Sequence, residues 1–173
     1  RSINMADILE QMADSVPDRM AVITEERGWT YREVDERATR LAHHLASLGV
    51  GRDDHVAVHA RNCIEWVDAF FACFKVRAVP VNVNYRYLRE ELLHVYRDSG
   101  SVLAIVAPEY AEAVREIEGE VDALERVLVL GDEYDASLAA SSAERSFGPR
   151  SGDDRYIMFS SGTTGLPKGV LWR

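Results

Sequence analysis

From residue 55 to residue 130 the chain alternates short apolar runs with longer amphipathic stretches, and this alternation restricts the fold more than any other feature. Residues 55–59 (HVAVH), 79–83 (VPVNV), 102–106 (VLAIV) and 126–130 (RVLVL) have the length and β-branched content of strands. Between them, residues 63–76, 88–98 and 109–118 have helical length and spacing. Strands joined through helices are connected by right-handed crossovers and lie parallel. The expected fold class is therefore α/β, a mostly parallel sheet with flanking helices. The punctuation agrees: Gly100 closes one helix and Pro108 opens the next. Pro80 has no N–H to give to a ladder, so its strand is expected at an edge or a bulge.

Upstream, residues 3–13 space Ile3, Ile8, Leu9 and Met12 as an amphipathic helix. Residues 21–24 and 29–30 read as a hairpin with its turn at Gly28. Thr30 and Glu33 make a capping box, and Val34, Ala38, Leu41, Ala42, Leu45 and Leu48 form one stripe that ends at Gly49. The helix 63–76, with Asn62 and Glu65 expected to cap it, is apolar on nearly every side and interrupted only by Glu65, Asp68 and Lys75. Such a helix needs cover on more than one face; without its neighbours it would drive self-association into a homo-oligomer. Residues 131–154 are small, polar and acidic, and are expected to be a long surface connection.

The net charge of −9 argues against nucleic acid or an anionic membrane surface as a partner. No apolar run has the length of a transmembrane segment, and residues 1–20 lack a signal-peptide core, so a cytoplasmic location is expected. Cys63 and Cys73, ten residues apart on one helix, stand ~15 Å apart and read as core thiols in a reducing compartment. His43 and His44 point in different directions, and His55 and His59 are ~13 Å apart along a strand, so no metal site is expected.

The chemistry concentrates in residues 156–173. Tyr156, Ile157, Met158 and Phe159 suit a buried strand. Ser160, Ser161, Gly162, Thr163, Thr164 and Gly165 follow, then Leu166, Pro167, Lys168 and Gly169. Glycines let backbone N–H groups turn towards an anion, hydroxyls add donors, and Lys168 adds a full positive charge, which together suit a polyphosphate. A Walker loop is excluded: Pro167 stands where its second glycine belongs and Gly169 where its metal-binding hydroxyl belongs. Residues 170–172 (VLW) then read as a strand rather than the start of a helix.

Residues 160–169 closely resemble the phosphate-binding loop of the adenylate-forming superfamily, which comprises acyl-CoA synthetases, peptide-synthetase adenylation domains and luciferases. The family pattern [ST]-[SG]-G-[ST]-[ST]-G-x-P-K-G is met throughout. Residues 29–33 (WTYRE) resemble the family's entry to its first long helix, and residues 79–91 resemble the segment after its second core helix. The runs NVNYRY and GVLWR look most like an acyl-CoA synthetase branch that includes enzymes for long fatty acids and sterol side-chain acids. Departures are Arg77 where the family usually has glycine, and Phe159-Ser160 for the commoner Tyr-Thr.

The resemblance implies a partial N-terminal AMP-binding domain over residues 1–173, with the C-terminal domain beyond it. It also implies a reaction of carboxylic acid, ATP and CoA through an acyl-adenylate, with Mg²⁺. Ser160, Ser161, Gly162, Thr163, Thr164, Gly165 and Lys168 would bind ATP. No catalytic residue and no metal ligand is assigned in this stretch; Lys168 is not the counterpart of the family's C-terminal catalytic lysine. By itself the fragment is expected to be inactive. A non-catalytic nucleotide- or partner-binding module and an amino-acid adenylation domain remain as alternatives. Bland roles stand beside the functional ones: Ser160 ending the strand, Gly169 serving backbone geometry, Trp172 packing, Asn82 and Asn84 ending a strand or forming a turn, and Arg86 and Arg89 starting a helix.

Overall fold

The computed structural model describes residues 3–160 and 165–173. Helix α1 (Met5–Ser15) and the hairpin β1 (Met20–Ile23)–β2 (Gly28–Thr30) lead into α2 (Tyr31–Ser47). Then come β3 (His55–His59), α3 (Ile64–Val76), β4 (Val79–Asn82), α4 (Arg89–Ser99) and β5 (Leu103–Val106). A 3₁₀ turn (Pro108–Tyr110), α5 (Ala111–Glu118), β6 (Arg126–Val129), α6 (Asp132–Ala140), β7 (Tyr156–Ser160) and β8 (Lys168–Trp172) complete the described chain.

The main sheet runs β6-β5-β3-β4-β7-β8, parallel except for β8, which returns antiparallel along β7. The period of two along each strand sorts the layers. Val56 and Val58 of β3, with Leu103 and Ile105 of β5, face α2, α3 and α6. Ala57 and the buried Ala104 and Val106 face α4 and α5 on the other side. With both faces covered, the strands are apolar almost without a break.

Local signals explain most element ends. The Thr30–Glu33 capping box forms, with the Glu33 N–H 3.2 Å from the Thr30 hydroxyl and the Thr30 N–H 2.8 Å from the Glu33 carboxylate. Gly49 (φ +90°) and Gly100 (φ +59°) turn the chain out of α2 and α4. Arg77 ends α3 at φ 65°, the left-handed conformation that glycine takes without strain.

Several expectations are corrected. α1 buries Ala6, Leu9 and Ala13, while Ile3 and Ile8 face outward; Asn4, not the apolar stripe, sets its start by capping. Cys63 precedes α3, and no Asn62 side-chain bond caps it. β4 is interior, not an edge. The Val79 and Val83 N–H groups donate to Asp54 and Val58 on the β3 side, so by alternation Pro80 turns its missing donor towards β7. The β4–β7 ladder begins only at Val81–Ile157, so nothing there requires it. Finally, residues 131–154 include α6, held by buried Tyr134 and Leu138.

Two of the charged interruptions of α3, Asp68 and Lys75, are buried completely. Lys75 donates to Glu10 of α1 (2.5 Å) and Asp35 of α2 (2.8 Å). Asp68 accepts from Arg37 of α2 (2.7 and 2.9 Å) and from the Tyr134 hydroxyl of α6 (3.0 Å). Burial pushes Asp68 up to about 6 in spite of those bonds. Buried charge survives only when paired and hydrogen-bonded, and these pairs clamp the helices of one layer together.

Candidate functional site

Strands β7 and β8 form a hairpin whose tip carries the glycine- and hydroxyl-rich loop. Pairing runs Tyr156–Trp172, Ile157–Leu171, Met158–Val170, Phe159–Gly169 and Ser160–Lys168. Ser160 and Lys168, eight residues apart in sequence, therefore face each other across the mouth of the loop. Both are exposed, and among the described residues Lys168 makes no ion pair. The Ser160 hydroxyl lies at the long distance of 3.5 Å from the Lys168 carbonyl, leaving it only weakly engaged. Ser161, Gly162, Thr163 and Thr164 lie outside the described residues. Gly165 sits at φ +126°, which an L side chain rarely adopts.

The hairpin is held on three sides. Below, β7 continues the parallel sheet, so Ser160 ends it at the carboxyl edge, where open α/β sheets hold their ligands. Across the hairpin, buried Phe159 lies over Gly169; a Cβ there would stand 3.1 Å from its ring. The backbone role of Gly169 is thus to admit Phe159. From the flank, His94 of α4 brings Nε2 to 2.8 Å from the carbonyl oxygen of buried Pro167. A carbonyl can only accept, so that nitrogen carries the proton. His94 gave no signal in the sequence, because its partner lies 73 residues away and its α4 neighbours read as an ordinary amphipathic helix.

The entry to β7 is fixed by Asp154. Its carboxylate accepts from the Arg77 guanidinium (2.9 and 3.0 Å), the Ser151 N–H (3.0 Å) and the Asn4 amide (3.0 Å). Burial opposes the charge, but these donors keep Asp154 below the usual carboxylate range. Arg77 thus joins the end of α3 to the start of the loop strand.

The remaining candidates take bland places. Asn84 accepts from the Arg86 N–H (3.0 Å), and Asn82 accepts from the Trp66 indole (3.3 Å). Arg89 pairs with Glu120, and Trp172 stacks on Tyr156 (6.4 Å between centroids). His59, buried at the end of β3 and stacked on Tyr110, is pushed down to about 4 by burial. Burial raises Cys63 to about 11 and Cys73 further, which keeps both as thiols. Among the described residues, no group of three or more His, Cys, Asp or Glu is placed to hold a metal ion. No helix among them is long and apolar enough to cross a membrane. A cleft of about 790 Å³ lies between the β1–β2 hairpin and the start of α3, and none of its described lining residues belongs to the loop 160–169.

The model of the AMP-binding enzyme family matches residues 9–173. The chain belongs to this family. It is 42% identical over 184 residues to a 3-oxocholest-4-en-26-oate–CoA ligase from Rhodococcus rhodochrous, covering 99% of this chain and 33% of that protein. It is 39% identical to a medium/long-chain-fatty-acid–CoA/3-oxocholest-4-en-26-oate–CoA ligase from Mycobacterium tuberculosis H37Rv, covering 99% of this chain and 34% of that protein. Among solved structures, the anthranilate CoA ligase AuaEII in complex with anthranoyl-AMP superposes with a TM-score of 0.92 at 27% identity, over 98% of this chain and 34% of that one. The chain therefore spans about a third of the length of the curated relatives it matches.

Proposed function

We propose that this AMP-binding chain is the N-terminal part of an ATP-dependent acid–thiol ligase that converts a fatty or sterol side-chain acid to its CoA thioester through an acyl-adenylate. One observation carries the reading: residues 160–169 meet the family's phosphate-loop pattern throughout, and the strand before them ends at the carboxyl edge of a parallel sheet. The described groups fit a polyphosphate, with an exposed hydroxyl at Ser160, an exposed ammonium at Lys168 and a side-chain-free Gly165 between them.

In this reading the acid's carboxylate attacks the α-phosphorus of ATP, pyrophosphate leaves, and the CoA thiol later displaces AMP. Ser160, Ser161, Thr163 and Thr164 donate through hydroxyls, and Gly162 and Gly165 through backbone N–H groups. Lys168 balances the charge that builds on the departing pyrophosphate. The contribution is positioning and electrostatics. Mg²⁺ accompanies ATP, and the protein acts in the cytoplasm. The fatty or sterol acid is taken from the activities named for the relatives.

A product assay on the full-length protein tests this reading. With ATP, Mg²⁺, CoA and either a long-chain fatty acid or a sterol acid with its carboxylate at C26, it should yield acyl-CoA, AMP and pyrophosphate in equal amounts. Residues 1–173 alone should yield none. Release of ADP and phosphate, or turnover only with amino acids, would contradict it.

A further inference from the structure

We infer that His94 is a positioning residue for the phosphate loop: it fixes the Pro167–Lys168 peptide plane from outside the hairpin and so aims the Lys168 ammonium. This inference rests on the loop's role proposed above and adds a residue on a different element.

A peptide unit is planar, so the carbonyl of Pro167 and the N–H of Lys168 turn as one body. The His94 Nε2–H bond to the Pro167 oxygen, at 2.8 Å, fixes how that body is rotated. Pro167 has its φ locked by its ring and is buried, so rotation of the plane is the main local freedom left before Lys168. After Lys168, Gly169 is pinned beneath Phe159, and Lys168 is itself paired with Ser160. The direction of the Lys168 side chain is thereby set from both sides. Among the described residues, the contact from α4 is the only side-chain hydrogen bond to the loop from outside the hairpin.

α4 is suited to this work. Leu92, Val95, Tyr96 and Ser99 bury its inner face, in the core that also holds Phe159 and Ile157 of β7. His94 lies one residue off that face, half-buried, so its ring leaves the core and reaches the loop. A hydrogen bond mounted on a packed helix holds its partner more closely than one from another loop. Losing it would leave the Pro167 carbonyl buried and unpaired, and the plane free to turn.

The test compares the two half-reactions in the full-length protein for wild type, Lys168→Ala, His94→Leu and His94→Gln. Leucine keeps the bulk without a donor, and glutamine keeps an N–H donor of similar reach. His94→Leu should slow ATP-dependent adenylate formation about tenfold, the size of one hydrogen bond to a buried group, and raise the KM for ATP. It should leave thioester formation from supplied acyl-adenylate within about twofold, and His94→Gln should recover most of the loss. Wild-type adenylation in His94→Leu would overturn the inference. So would parallel loss of both half-reactions in a folded His94→Leu protein, or failure of glutamine to restore adenylation. If Lys168→Ala also leaves adenylate formation intact, the loop's own assignment falls; if only the histidine variants are silent, it stands.

Discussion

Gly169 shows how much one absent side chain can settle. A Cβ there would sit 3.1 Å from the Phe159 ring, tighter than most contacts, and 3.4 Å from Ile157, so the ring would have to give way by a few tenths of an ångström. Gly169→Val should therefore shift the Phe159 ring and destabilise the protein by about 1 kcal/mol, read as a lower urea midpoint. An unchanged midpoint would mean that the hairpin absorbs the side chain elsewhere. Arg77 poses the opposite question, a long side chain in a backbone conformation that favours glycine. Its guanidinium reaches Asp154 at the root of the loop strand, so the strain of φ 65° is accepted where a tether is gained. His94 belongs with Arg77: both act on the loop from other elements.

Among the elements, α3 carries the most strain of composition and has the clearest pH signature. Its Lys75 meets Glu10, which also accepts from Arg150 at 2.9 and 2.5 Å. Burial works against that carboxylate, but the hydrogen bonds from Arg150 and Lys75 hold it down at about 2, from a usual 4.5. Because the unfolded chain takes up this proton first as pH falls, the stabilisation is complete above about 4.5 and is lost towards about 2. The difference in urea midpoint between wild type and Glu10→Gln should thus shrink between pH 6 and pH 3, while a constant difference would contradict the pairing. These ties also mark what could be read in advance. The strand–helix alternation, the Thr30–Glu33 box and the Gly100 stop were legible because each signal lies within a few residues. Helix α6 was not, since only Tyr134 and Leu138 are buried in a small, acidic stretch. Nor was the burial of Lys75 and Asp68, whose partners are 31 to 66 residues away. The loop's residue types were legible, but the helix that steadies it was not.

At the scale of the molecule, the sheet gathers strand ends from five parallel strands at one edge, and among the described residues β8 pairs on one side only, with β7. Every residue of β8 is exposed, including Leu171 and Trp172, each about half accessible. None of the apolar residues of α3 is exposed; exposed apolar side chains lie instead on α1, on the β1–β2 hairpin, at Leu88 and on the loop hairpin. The same hairpin thus presents the candidate phosphate loop at its tip and apolar side chains along its arms. What decides the proposal is whether that tip serves the pyrophosphate half of the reaction. The direct measurement takes the full-length protein and Lys168→Ala and follows each half-reaction separately. Adenylate formation from acid and ATP should fall about a hundredfold, while thioester formation from supplied acyl-adenylate and CoA stays within about twofold. Equal loss in both half-reactions, or none in the first, would contradict the role assigned to the loop.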